Sequence, residues 1–143
     1  MSMRALSTIS LIVLMSCTST EERLVADGVV PLTGPEVSAL VSGNTLSTKG
    51  DGWTHDTFID ASGRLTGRAV WNGGSETADG VWEVTEDGLY CRDWENDWAG
   101  GGYGCSRVYP AGDGGHWFIY ANGSRGEVTE IYVTVSEGNT QSL

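Results

Sequence analysis

Trp53-Thr54-His55-Asp56-Thr57-Phe58-Ile59-Asp60, then the turn Asp60-Ala61-Ser62-Gly63, then Arg64-Leu65-Thr66-Gly67-Arg68-Ala69-Val70-Trp71, is the stretch that decides the fold. Trp53, His55, Thr57 and Ile59 alternate with Thr54, Asp56, Phe58 and Asp60. A period of two is that of a strand with one face buried. Asn72-Gly73-Gly74 follows Trp71 and favours a tight hairpin turn, because it supplies residues that tolerate positive φ.

The same alternation and turn chemistry recur on both sides. A short strand is expected over 44–48, and further strands over 79–85, 89–94, 106–109, 115–121 and 128–135. Glu86-Asp87-Gly88, Pro110 and Asn122-Gly123-Ser124 punctuate them. Gly67 and the glycines of 100–104 mark bulges or a mobile tip. One helix is expected over 33–43: Thr33 caps it, Glu36 completes a capping box, Pro35 lies in the first turn and Gly43 ends it. Val37, Leu40 and Val41 fall on one face of that helix. The fold expected is mainly β, an antiparallel barrel or half-barrel meander of about eight strands with one short N-terminal helix. Trp53, Trp71, Trp82 and Trp117 are expected in its core or lining its interior.

The 143 residues carry 19 Asp and Glu against 8 Lys and Arg, a net charge of -11. Such a charge repels a phosphate backbone, so no nucleic-acid partner is expected. Opposite charge speeds encounter, so a basic protein partner is compatible. The chain suits a single domain.

At the amino terminus Arg4 precedes an apolar segment over 5–15, of signal-peptide length and too short to span a bilayer comfortably. Leu14-Met15-Ser16-Cys17 ends it and resembles the lipobox of bacterial lipoproteins. The resemblance implies cleavage before Cys17, lipidation of its thiol and anchorage to a membrane. Thr18 after the Cys further implies an address facing the periplasm, with the outer membrane favoured. The organisation expected is a signal peptide over 1–16, a lipidated Cys and solvated tether over 17–31, and one β-rich domain over 32–143. With Cys17 lipidated, Cys91 and Cys105 remain as an even pair, and export would place them where a disulfide persists. Two free thiols or a metal pair are the alternatives, although no Cys-x-x-Cys occurs.

Leu32-Thr33-Gly34, Gly43-Asn44-Thr45, the turn from Asp60 to Gly63, Gly80-Val81-Trp82, Leu89-Tyr90-Cys91-Arg92-Asp93-Trp94, Cys105, Val108-Tyr109 and Gly138-Asn139 carry a second resemblance. Across 32–139 the chain is similar to small exported bacterial proteins of a lipocalin-like or half-barrel β fold, a group of domains of unknown function. The resemblance implies fold and address and supplies no catalytic residues.

No nucleophile elbow, His-x-x-x-His pair or phosphate-cradling loop is present. No catalytic residue, metal site or cofactor is expected, and an envelope hydrolase is the remote enzymatic alternative. Asp93, Glu95 and Asp97 imitate the start of a calcium loop. However, Trp98 stands where glycine is needed and Gly104 where a bidentate Glu belongs, so the segment reads as a solvated hairpin tip. Trp94, Trp98 and Tyr103 lie in the same loop. They either fold back as a lid on the core or form, with Asp93 and Asp97, an exposed candidate binding loop. The leading function expected is a non-enzymatic envelope binding module for an unknown protein or small molecule. The alternatives are an inhibitor of a basic enzyme such as lysozyme and a carrier of a small apolar ligand.

Overall fold

A computed structural model describes residues 18–96, 98, 102–121 and 129–143. Eight strands run in chain order: β1 (Asn44–Gly50), β2 (Trp53–Ile59), β3 (Arg64–Trp71), β4 (Gly74–Val84), β5 (Tyr90–Trp94), β6 (Tyr103–Pro110), β7 (His116–Tyr120) and β8 (Glu130–Glu137). Each pairs antiparallel with its neighbours and β8 returns to β1, so the meander closes into a full barrel and not a half-barrel. Asn72 and Gly73 form the two-residue connection expected of them, with Trp71 opposite Gly74 and Gly73 at φ +102°.

The period of two decides what faces inward. Leu46 lies opposite Thr57, Thr57 opposite Gly67 and Gly67 opposite Ala78. Ile59, Leu65, Gly80 and Trp94 form a second such row, and Val84, Tyr90 and Ser106 a third. Ile59, Leu65, Tyr90, Val108 and Phe118 are buried in one apolar cluster with Val37 and Val41.

Those two valines belong to α2 (Gly34–Val41), which closes one end of the barrel with the apolar face expected of it. The Glu36 carboxylate accepts the Thr33 N–H at 2.7 Å, and this contact holds its pKa below the usual carboxylate range. The Leu32 N–H donates to the Val108 carbonyl at 2.8 Å and ties the helix to β6.

The segment expected as a free tether contains a second helix, α1 (Thr20–Ala26). Ser19 and Glu22 make a reciprocal capping box. Long-range contacts then dock the helix on the barrel wall. Thr20 Oγ1 donates to Glu130 at 2.6 Å, and Glu21 accepts from Arg107 at 2.7 Å and from Tyr109 at 2.9 Å.

Three strands are longer than expected, β1 running on to Gly50. β4 starts at Gly74 and β6 at Tyr103, because cross-strand partners reach further than the turn residues suggest. The tryptophans also divide differently. Trp53 and Trp71, paired across β2 and β3, are 42% and 45% exposed at the end opposite α2. Trp82 is half-buried and donates its Nε1–H to the Asp60 carbonyl. Trp117 is half-buried and packs edge-on against Tyr132. Alternation assigns a face to each residue but not a level along the barrel axis, and Trp53 and Trp71 stand at the rim. Cys17, Asp97 and the turn 122–124 lie outside the described residues, as does the start of the strand expected over 128–135.

Candidate ligand groove and barrel interior

Trp94 and Trp98 answer the lid question. They are only 4% and 8% exposed, and their rings meet edge-to-face with centroids 4.5 Å apart. His55 stands edge-on to Trp98 at 4.7 Å. Gly67 provides the room. A Cβ there would lie 2.6 Å from Trp98 Cζ3 and 2.7 Å from Trp94 Cη2, closer than packed carbons approach. The hairpin tip thus folds its indoles into the barrel, and they offer no exposed recognition patch. Asp93 and Tyr103 of the same candidate loop are exposed, with the Tyr103 hydroxyl donating to Glu83 at 3.2 Å. Glu95 forms an exposed ion pair with Arg64 at 3.4 Å, a contact of little weight in water.

Cys91 and Cys105 face each other across β5 and β6 with Cα atoms 4.0 Å apart and form a disulfide. The bridge closes the base of the hairpin whose tip carries Trp98.

Beneath the indoles the interior turns polar. Arg92 follows Tyr90 and precedes Trp94 on the inward face of β5, and it is the one charged side chain that is buried among the described residues. Its Nη2 donates to the Tyr120 hydroxyl at 2.6 Å, and its carbon lies 5.6 Å from that ring's centre. Its Nε has no partner. An unpaired buried cation costs on the order of several kcal/mol. Burial, reinforced by the Arg92 charge, pushes the His55 pKa down to about 4 against the pull of Asp56, so the imidazole is neutral at neutral pH. Its Nε2 lies 3.1 Å from Thr57 Oγ1. Burial pushes the Tyr90 phenol up to about 12, so it stays protonated. A cavity of about 30 Å³ remains among these groups, with Arg92, His55, Thr48 and Thr57 in its wall. Among the described residues, Ile59, Leu65, Tyr90, Trp94, Trp98 and Phe118 pack the rest of the interior.

Outside the barrel is a larger space. β1 and β8 pair only from Asn44 opposite Glu137 to Ser47 opposite Thr134, although β1 runs to Gly50 and β8 begins at Glu130. Where the two strands part, a groove of about 650 Å³ opens. Trp53, Ile131 and Tyr132 give it apolar wall, while Lys49, Asp56 and Glu130 give it charge. Asp56 accepts from Ser47 Oγ at 2.5 Å. Ser47, Thr48 and Ile131 belong to both the groove and the inner cavity.

The sequence reading did not single out Arg92 or this groove. For Arg92 a signal existed, since Tyr90, Arg92 and Trp94 share one face of a strand whose other members are plainly core. The groove had none, because it depends on where two strands distant in sequence stop pairing.

His55 and His116 lie on β2 and β7, and no cluster of three or more metal-ligating side chains occurs among the described residues. No family model matches the chain, and neither does any curated protein or solved structure.

Proposed function

We propose that the chain is a non-enzymatic binding module of the bacterial cell envelope, anchored through Cys17, that takes a small amphipathic ligand in the groove between β1, β2 and β8. The groove itself is the observation that carries the reading: about 650 Å³ with an exposed indole, Trp53, on its wall. That volume suits a small-molecule site of ordinary size. The place of α1 supports an amphipathic ligand. Thr20 bonds Glu130, which lines the groove, and Cys17 precedes Thr20 by only three residues. Three residues span at most about 10 Å. A lipid on Cys17 would therefore hold the groove close to the membrane surface. The disulfide supports export, since such bonds persist in oxidising compartments.

Titration of the purified protein with 1-octanol, followed by tryptophan fluorescence, tests the reading. Saturable binding is expected, weakened in Trp53→Ala with the fold intact. Absence of saturation, or affinity indifferent to Trp53→Ala, would count against the groove.

A further inference from the structure

The inner cavity and the outer groove share Ser47, Thr48 and Ile131 in their walls, and the inner wall carries a cation, Arg92. The cavity of about 30 Å³ is roughly twice what one water requires, enough for two or three heavy atoms. Arg92 on its wall is more than nine-tenths buried, and its Nε is without a partner. Neither ion pair among the described residues involves it.

We infer that this cavity recognises a carboxylate, held by the Arg92 guanidinium, on a ligand that enters where β1 and β8 part. The inference rests on the groove reading above and names the head group of the ligand. A carboxylate has three heavy atoms and fits, whereas a phosphate or sulfate group is too large for the space. A planar guanidinium offers parallel N–H donors that match a carboxylate, and such charge-assisted bonds are strong where water is excluded. No carboxylate among the described residues forms an ion pair with Arg92. Tyr90 is protonated and fully buried, Tyr120 already accepts from Nη2, and His55 is neutral. Asp56, the carboxylate of the groove's β2 wall, is engaged by Ser47. The same chemistry serves a free small acid or the end of an alkyl chain, and formate and octanoate separate the two.

Octanoate and 1-octanol share a chain and differ in the head. At neutral pH octanoate is expected to bind the purified protein roughly tenfold or more tightly than octanol. Arg92→Met should erase that preference while retaining octanol. Formate alone should move the Arg92 Nε–H resonance of the unmodified protein, a readout that does not depend on how the variant folds. Equal affinity for octanol and octanoate, with no formate-induced shift, overturns the carboxylate inference and leaves the groove standing. A formate shift without binding of either alkyl ligand supports carboxylate recognition and overturns the groove. If nothing binds and nothing shifts, both are overturned.

Discussion

Trp98→Ala is expected to cost about 3–5 kcal/mol of folding stability, and Trp94→Ala a similar amount, the range for removing a large aromatic from a core. The two indoles pack edge-to-face at 4.5 Å, His55 contacts the Trp98 ring, and Gly67 lacks a side chain where both rings press. The surrounding strands are fixed by barrel pairing and cannot collapse into the space left behind. A domain's net stability is about 5–15 kcal/mol, so either change removes a large part of it. Urea unfolding midpoints would measure the loss. A shift worth less than about 1 kcal/mol is what a surface residue gives and would place the ring outside the core.

Replacing Cys91 and Cys105 together by serine should cost about 3 kcal/mol, the value for a closed loop of this size. The bridge spans 14 residues and joins directly opposed positions on β5 and β6. Its loss returns freedom to the hairpin that delivers Trp98. The two effects are therefore coupled: in the serine background Trp98→Ala should cost measurably less than in the bridged protein, because part of the lid's order is already gone. A double-mutant cycle in urea reads the difference. Strict additivity would mean that the bridge and the lid act independently.

Much of this architecture was legible in the sequence. The alternation from Trp53 to Asp60, the Asn72-Gly73 turn and the box of Thr33 with Glu36 are local signals, and local signals fix strand faces, turns and caps. α1 was not legible, because a run of Thr, Ser and Glu reads as solvated until Thr20 finds Glu130 and Glu21 finds Arg107. The exposure of Trp53 and Trp71 was hidden for a different reason: their period is that of the interior, but the interior ends below them. The groove follows from the short register of β1 with β8, which no local pattern encodes.

The most direct measurement of where a ligand binds is an NMR titration of the labelled protein with octanoate. The shifts expected fall on Thr48, the Trp53 indole, Ile131, Tyr132 and the Arg92 side chain. Shifts gathered instead around Val81 and Tyr103, with Arg92 unmoved, would contradict entry between β1 and β8.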